Sequence, residues 1–232
     1  MHEPPAATTF TGPIRGVVFD FDGVIVDTEG AVFRAWAEVF EIHDADLPLE
    51  FYSRCVGSDH ATWDPKKYFE EVTGRQPDWP PILAAKDRRT RDLLEGYGPM
   101  EGVLAWLDAL REAEIPVAVA SSSSREWVGG WLDKLDLAGH FHSYHCRGDV
   151  PRVKPAPDLF LRAAAALDLH PQAILAIEDS ENGLRAALAA GMAVLAVPNA
   201  VTAKQDFRGA NRRAASLADP VALDVLATLR AG

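Results

Sequence analysis

The sequence predicts an α/β fold, in which a Rossmann-like parallel β-sheet core carries an inserted α-helical cap domain. Two observations support this prediction. Short apolar runs alternate with stretches of helical periodicity over most of the chain, a pattern typical of parallel strands covered by helices on both faces. One long stretch, residues 31–97, instead contains helical patterns and no convincing strand.

The first strand is predicted at residues 14–21, where a β-branched apolar run ends abruptly in Asp20, Asp22 and Gly23. Three later runs have the same form, and each follows a stretch with helical periodicity. These strands are predicted at residues 115–120, 173–177 and 193–197, after helices at residues 103–113, 159–169 and 184–190. Residues 141–146 form a weaker candidate strand. Strands that alternate with helices of this length are expected to form one parallel sheet.

Residues 31–97 are predicted to form the cap, and residues 11–30 and 98–232 the core. Apolar residues recur at helical spacing in three parts of the cap, which are residues 31–40, 63–72 and 83–94. An insertion needs two connections to the core. Gly30 and the Gly-Tyr-Gly-Pro of residues 96–99 are candidate hinges, because glycine permits the backbone angles that such crossings need.

The composition is that of a globular protein with an acidic surface. Of 232 residues, 48% are hydrophobic and 25% are charged, and the net charge is −11. An acidic chain repels nucleic acid and anionic lipid, so we expect neither nucleic acid nor a membrane as a partner. Cys55 and Cys146 stand alone at no motif spacing, which is typical of reduced thiols in the cytoplasm. We expect a cytoplasmic protein and a monomer.

Polar and charged residues follow the predicted strands at the point where each strand ends. Because the carboxyl ends of parallel strands meet at one edge of a sheet, we expect these groups to lie close together. They are Asp20 and Asp22 after the first strand, Ser121 to Ser124 after the second, Glu178, Asp179 and Ser180 after the third, and Lys154 before a helix. Among the serines, Ser123 and Ser124 are expected to be ordinary loop or helix-capping residues.

Carboxylates that converge in this way repel one another unless a cation compensates their charge. Oxygen ligands favour Mg²⁺, which commonly shares its coordination sphere with a substrate phosphate. Lysine and serine side chains supply the positive charge and the hydrogen-bond donors that the remaining phosphate oxygens need. The pattern therefore indicates phosphoryl transfer, where positioning and charge neutralisation supply most of the acceleration.

Four motifs occur in order along the chain. Residues 20–29 read Asp-Phe-Asp-Gly-Val-Ile-Val-Asp-Thr-Glu, and later come Ser121, Lys154 in Lys-Pro-Ala-Pro-Asp, and the run Glu178, Asp179, Ser180. In type and order they closely resemble the motifs of the haloacid dehalogenase superfamily of phosphohydrolases, the first of which is DxDGxxxD(T/S). The resemblance extends from about residue 14 to residue 200. The helical insertion falls where the subgroup containing β-phosphoglucomutase and many sugar-phosphate phosphatases places its cap.

The resemblance implies that Asp20 is the nucleophile, which attacks phosphorus and forms an aspartyl-phosphate. Asp22 would protonate the leaving alcohol and then take a proton from the attacking water. Lys154 would neutralise charge on both the nucleophile and the phosphate. Ser121 and the backbone N–H that follows it, at Ser122, would bind the phosphoryl oxygens.

The same resemblance implies Mg²⁺ as the cofactor. Asp20, the backbone carbonyl of Asp22 and the side chain of Asp179 would hold the ion. Glu178 would help either directly or through a water molecule. Thr28 is expected to hydrogen-bond Asp22 and to keep it out of its working position until the cap closes.

Two positions in the cap depart from the mutase pattern. Val32 stands where β-phosphoglucomutase and its near relatives carry a histidine that binds and deprotonates the sugar hydroxyl. His60 stands in the stretch where those relatives carry a substrate-binding arginine, so it is a candidate specificity residue. Without a base at position 32, water is the expected acceptor, and hydrolysis is favoured over mutase activity.

The predicted function is a Mg²⁺-dependent phosphatase for a small phosphorylated metabolite, such as a sugar phosphate or a short phosphorylated acid. Three alternatives stay open: a phosphosugar mutase, a 2-haloacid dehalogenase, and a binding module of the same fold. A dehalogenase of this superfamily is not expected to carry both Asp22 and Asp179. The basic run Lys86, Arg88, Arg89 and Arg91 is interpreted as a solvated helix face, with the alternative that one member reaches an anionic substrate.

Overall fold

The computed structural model describes residues 12–58 and 63–230. Within these residues, parallel strands form one sheet in the order β3-β2-β1-β4-β5-β6. The strands are β1 (Gly16–Phe19), β2 (Val117–Ser124), β3 (Ser143–Arg147), β4 (Ile174–Glu178), β5 (Ala193–Ala196) and β6 (Arg212–Arg213). The helices are α1 (Thr28–Glu41), α2 (Leu49–Tyr52), α3 (Pro65–Thr73), α4 (Trp79–Leu93), α5 (Val103–Glu112), α6 (Arg125–Lys134), α7 (Asp158–Ala166), α8 (Glu181–Ala190) and α9 (Pro220–Arg230). The predicted α/β class with a parallel Rossmann-like sheet is confirmed.

Strand β1 lies inside the sheet, and its register decides where the polar groups emerge. Phe19, its last residue, is in register with Val119 of β2 and Ile177 of β4. Since the three strands are parallel, the residues that come after these positions leave the sheet at the same edge. That edge receives the chain segments with Asp20, Ser121 and Glu178.

Helices bury both faces of the sheet, which explains why the strand sequences are apolar at successive positions. Val17 and Phe19 belong to the apolar cluster on one face, where the Phe19 ring packs edge-on against Trp106 of α5 at 6.5 Å between centroids. Val18 belongs to the cluster on the opposite face, together with Phe160 of α7. These side chains have no solvent exposure, so the sheet is a rigid base for whatever its edge carries.

Helices α1 to α4 share a third apolar cluster that is separate from the two around the sheet. Phe40 of α1 packs edge-on against Phe69 of α3 at 5.2 Å, and Trp36 packs against Trp79 of α4 at 6.2 Å. These helices fall in the stretch predicted to be the cap, although the division into two domains stays a prediction. Gly30, a predicted hinge, lies inside α1, because the helix begins directly after Asp27.

Several features of the fold were not predicted, and they depend on packing. Strand β2 continues through the serine run to Ser124, which pairs with Arg147 of β3 after a shift in register. Helix α6 follows at once, although its two adjacent glycines disfavour a helix; Val128, Trp131 and Leu132 bury one of its faces. Helix α9 lies beyond the predicted motifs, and the two-residue strand β6 gives no sequence signal.

Two further findings concern membrane-spanning helices and the cysteines. Among the described residues, no helix is both long enough and apolar enough to cross a membrane. Cys55 and Cys146 are buried and form no disulfide, in agreement with the expected free thiols. The cytoplasmic location and the monomeric state stay predictions.

Candidate active site

A buried lysine connects two carboxylates at the sheet edge. Lys154 Nζ donates hydrogen bonds to Asp20 Oδ1 and, over 2.6 Å, to Glu178 Oε1, and its side chain has no solvent exposure. Burial alone would lower the pKa of Lys154, but the charges of Asp20 and Glu178 outweigh it and raise that pKa. The lysine is therefore a fixed positive charge next to Asp20, as phosphate neutralisation would need.

Asp20 is buried at the end of β1, and its environment calls for positive charge. Burial raises the pKa of the Asp20 carboxyl above its ordinary value, and the nearby carboxylates of Glu178 and Asp22 add to the rise. The Lys154 ammonium opposes it. A further cation at this position would help to keep Asp20 ionised, the form that a nucleophile needs.

The donor set at this edge fits a divalent cation. Ligand oxygens of Asp20, Glu178 and Asp179 lie within 4.8 Å of one another, and all three residues are buried. Asp179 Oδ2 accepts a hydrogen bond from Asn199 Nδ2 over 2.7 Å, whereas Oδ1 is buried with no hydrogen-bond partner among the described groups. A buried carboxylate oxygen without a partner is costly, and a bound cation would satisfy it. Oxygen ligands of this kind suit Mg²⁺.

Glu178 is held on every side. Its Oε1 accepts from Lys154, and its Oε2 accepts from the backbone N–H of Asp179 over 3.2 Å and from the Ser180 hydroxyl over 3.2 Å. Gly183, in the first turn of α8, leaves the space that the carboxylate fills, because a Cβ there would overlap with it. These contacts make Glu178 the anchor of Lys154, in addition to its place among the candidate metal ligands.

Asp22 lies in a cradle of four donors. Its Oδ1 accepts from Thr28 Oγ1 over 2.7 Å and from Trp127 Nε1 over 2.8 Å. Its Oδ2 accepts from Ser123 Oγ over 2.6 Å and from Ser121 Oγ over 3.2 Å. The expectation that Ser123 is an ordinary loop residue is wrong, because β2 extends far enough to carry its hydroxyl to Asp22. Trp127 was missed, since no motif marks it.

The side chains of Ser122 and Asn182 hydrogen-bond the backbone of the segment after α2. Ser122 Oγ donates to the carbonyl of Gly57 over 2.8 Å, so its hydroxyl binds the protein in this structure, while its side chain lines the adjoining cavity. Asn182 Nδ2 donates to the carbonyl of Val56 over 2.8 Å. His60, the predicted specificity residue, lies outside the described residues.

An inner cavity of about 160 Å³ opens beside Asp22, with Glu29, Val32 and Tyr52 in its lining. Burial raises the pKa of Glu29 well above its ordinary value, and the carboxylates of Asp22 and Asp20 raise it further. The Tyr52 hydroxyl donates to Glu29 over 3.4 Å. Glu29 therefore places a carboxyl next to Asp22 in the inner cavity. Its position next to Thr28 in the first motif was the available signal.

Residues 14–191 match the family model of the haloacid dehalogenase-like hydrolases. The chain belongs to this family. It is 36% identical over 206 residues to the Bacillus subtilis protein named "Putative phosphatase YhcW", covering 89% of this chain and 93% of that protein. It is 30% identical over 190 residues to the β-phosphoglucomutase of the same organism, covering 79% and 83%.

Among solved structures, a variant of CbbY from Rhodobacter sphaeroides in complex with xylulose-(1,5)bisphosphate superposes with a TM-score of 0.69. The two chains are 26% identical, over 88% of this chain and 95% of CbbY. The predicted resemblance to the haloacid dehalogenase superfamily is confirmed, and so is the predicted enzyme class, a phosphoric monoester hydrolase. The roles of the individual site residues stay predictions.

Proposed function

We propose that this haloacid dehalogenase-like hydrolase is a Mg²⁺-dependent phosphatase that acts on a small phosphorylated metabolite, in particular a sugar phosphate. One observation carries the proposal: a buried lysine bridges two carboxylates, beside a third carboxylate with an oxygen that has no hydrogen-bond partner among the described residues. These residues are Lys154, Asp20, Glu178 and Asp179. Such a fixed arrangement of charges suits phosphoryl transfer, because the enzyme's main task is to position the groups and neutralise charge.

In the first half of the reaction, a carboxylate oxygen of Asp20 attacks phosphorus, and the bond from phosphorus to the ester oxygen breaks. The phosphoryl group becomes an aspartyl-phosphate on Asp20, and the leaving oxygen takes a proton from Asp22, so that the alcohol departs neutral. Lys154 remains beside Asp20 throughout. For this step Asp22 starts in its protonated form, and its O–H points to the ester oxygen in place of one of the four present hydrogen bonds.

In the second half, a water molecule attacks the phosphorus of the aspartyl-phosphate while Asp22 takes a proton from that water. The bond from phosphorus to the Asp20 oxygen breaks, which releases inorganic phosphate and restores the Asp20 carboxylate. The position of Asp22 supports both roles, since it lines the inner cavity where the alcohol leaves and water enters. Ser121, whose hydroxyl donates to Asp22, lies where it can also meet a phosphoryl oxygen.

Asp20 and Asp179 would hold Mg²⁺ together with the backbone carbonyl of Asp22, and Glu178 lies beside them. When bound, the ion supplies positive charge for the phosphoryl oxygens. The buried Asp179 Oδ1, which no described group hydrogen-bonds, supports this assignment. In the described part of the chain the acidic cluster consists of Asp20, Glu178 and Asp179. Asp22 lies outside it, in agreement with a role in proton transfer.

Val32 supports hydrolysis over transfer to a second sugar. Its side chain lines the inner cavity at the position where mutases of the resembling subgroup carry histidine. An apolar side chain can neither bind nor deprotonate a sugar hydroxyl. Incubation with β-glucose 1-phosphate and a bisphosphate activator is therefore expected to release inorganic phosphate; stoichiometric glucose 6-phosphate without free phosphate would support a mutase instead.

The central test uses p-nitrophenyl phosphate as the substrate. We expect hydrolysis with Mg²⁺, loss of activity with EDTA, and recovery when Mg²⁺ is restored in excess. Asp20→Asn is expected to lower kcat by at least about 10⁴-fold, because the nucleophile is removed. Asp224→Asn, an exposed aspartate of α9, is the matched control and should keep wild-type turnover. Turnover that survives in Asp20→Asn would refute the proposed mechanism.

A further inference from the structure

A second cavity of about 640 Å³ adjoins the inner one. The two share part of their lining, namely Val32, Ser123, Trp127 and Arg147. The outer cavity runs between α4 and α6, which contribute most of its remaining walls. Asp22, two residues after Asp20, lines the inner cavity, so a molecule bound beside it can extend past Val32 and Trp127 into the outer cavity. The volume there exceeds what a water molecule or a methyl group needs.

One wall of the outer cavity is aromatic and begins at the catalytic groups. Trp127 Nε1 donates to Asp22 over 2.8 Å, so the indole spans from the proposed acid to the outer cavity. The Trp131 ring lies next along α6, with 6.1 Å between the ring centroids. Lys134 Nζ lies over the Trp131 ring at 4.2 Å from its centroid. The wall thus leads from Asp22 to a positive charge.

Positive charges outnumber negative charges around the outer cavity, although the chain as a whole carries a net charge of −11. The positively charged residues in its lining are Lys86, Arg91, Lys134 and Arg147, and the negatively charged ones are Asp87 and Glu126. Lys86 is bonded to Asp87 over 2.7 Å. Of the other three cations, none has a carboxylate within ion-pair distance in the described parts of the chain. Unpaired cations that surround one space attract an anion into it.

We propose that the outer cavity is a subsite for a second anionic group, so that the substrate is a phosphoric monoester whose far end carries a carboxylate or a second phosphate. The reactive phosphate lies at Asp20, the body of the molecule passes Val32 and Trp127, and the distal anion meets Arg91, Lys134 and Arg147. The proposal rests on the proposed phosphatase function, which it narrows to substrates with an anionic group at each end.

A neutral distal end fits this arrangement less well. A hydroxyl group would leave the cations as they are, whereas an anion gains charge-assisted hydrogen bonds from arginine and lysine. Arg91, Lys134 and Arg147 are exposed, so they lose only part of their hydration when an anion binds. Among these cations, Arg147 lines both cavities, so its replacement is expected to affect the preference for an anionic substrate most.

The experiment compares two substrates that differ only at the far end. 6-Phosphogluconate carries a carboxylate at C1, and sorbitol 6-phosphate carries a hydroxymethyl group on the same six-carbon chain. We expect wild-type protein to have a kcat/KM for the carboxylate at least about tenfold higher, since hydrogen bonds between cations and a carboxylate are stronger than those to a neutral hydroxyl. Sorbitol 1,6-bisphosphate serves as the substrate with a distal phosphate and should be preferred likewise.

Three variants test where the preference arises. Arg91→Gln, Lys134→Gln and Arg147→Gln should each lower the ratio of the two kcat/KM values towards one, mainly because KM rises for the substrate with the carboxylate. Arg88→Gln is the matched control, because Arg88 is an exposed arginine of α4 that does not line the cavity, and its ratio should equal that of wild type.

The outcomes separate the two proposals. A ratio near one in the wild type, or variants that slow both substrates equally, would overturn the anionic subsite while leaving the phosphatase intact. Failure to hydrolyse p-nitrophenyl phosphate in the presence of Mg²⁺ would instead overturn the proposed function. A ratio that falls in Arg88→Gln as much as in Arg91→Gln would show a general effect of charge and would also reject the subsite.

Discussion

The proposed active site has two walls that are built in opposite ways. On the sheet-edge wall, Asp20, Lys154 and Glu178 are buried, and Lys154 donates a hydrogen bond to each of the two carboxylates. On the outer wall, Arg91 and Lys134 project from helices, are exposed, and pair with no carboxylate of the described residues. The charges of the first wall are fixed by contacts with one another, whereas the cations of the second wall are available to bind an anion.

The difference follows from the cost of burial. A charge removed from water needs a partner in place at all times, so buried groups tolerate little displacement. An exposed cation keeps most of its hydration and can turn towards anions of different shapes. We infer that the sheet edge determines which reaction occurs, while the outer wall determines which substrates are accepted.

Removal of the buried Lys154 ammonium should have the largest effect on stability and turnover. Lys154→Met leaves the carboxylates of Asp20 and Glu178 buried without their positive partner, so we expect the free energy of unfolding to fall by about 3–5 kcal/mol. Turnover of p-nitrophenyl phosphate should fall by at least about 100-fold. Urea denaturation in EDTA measures the first effect, and phosphate release in excess Mg²⁺ measures the second.

Lys67→Met is the matched control for Lys154→Met. Lys67 is an exposed residue of α3, and its replacement should change the free energy of unfolding by no more than about 0.5 kcal/mol. Equal stability of the two variants would mean that the buried lysine is not what holds the carboxylates in place.

A single methyl group on α8 should disturb the same wall by a smaller amount. The Cβ of Gly183→Ala overlaps with the Glu178 carboxylate, so either the helix or the carboxylate has to shift. We expect a loss of about 1–3 kcal/mol in stability, as in other overpacked sites. Turnover should fall by about tenfold, because Glu178 anchors Lys154.

Gly130→Ala tests the same substitution in a helix where there is room. Apart from the backbone of α6 itself, no described atom lies within 4 Å of the added Cβ, and α6 should gain about 0.5–1 kcal/mol in stability from the alanine. Thermal denaturation of both variants checks the contrast. If Gly183→Ala proves as stable as Gly130→Ala, Glu178 is held less tightly than its contacts indicate.

Trp127 connects the two regions, because it donates to Asp22 and also lines the outer cavity. Its replacement is expected to have the smallest effect on turnover. Trp127→Phe keeps an aromatic ring in the cavity but removes the donor to Asp22. Three hydroxyl donors remain, so we expect kcat for p-nitrophenyl phosphate to fall only about three- to tenfold, in line with one hydrogen bond of about 1 kcal/mol. A steady-state kcat measurement at saturating substrate checks this.

Trp79→Phe is the control for Trp127→Phe. The Trp79 Nε1 donates to Glu70 over 2.8 Å, away from both cavities, and its loss should leave kcat unchanged. A kcat that falls equally in both variants would show that the effect comes from general loosening and not from the bond to Asp22.

Much of the molecule was predictable because its signals are local. The apolar runs predicted β1, β2, β4 and β5 to within a few residues, since a strand buried on both faces must be apolar at successive positions. The four motifs predicted the family, which the comparisons confirm. They also named the charged groups that meet at the sheet edge, because parallel strands bring their carboxyl ends together regardless of what lies between them.

The tertiary structure alone decided the groups around those motifs. Trp127 donates to Asp22 across 105 positions of chain, and Asn199 reaches Asp179 from the segment after β5. Such contacts depend on the register of β2 against β1 and on where α6 packs, and no pattern in a short stretch of sequence encodes them. The outer cavity has the same origin, since its cations come from α4, α6 and the end of β3. The sequence by itself thus determined most strands of the sheet, the family and the proposed reactive groups. Packing between distant segments decided how those groups are held and what surrounds the cavities beside them.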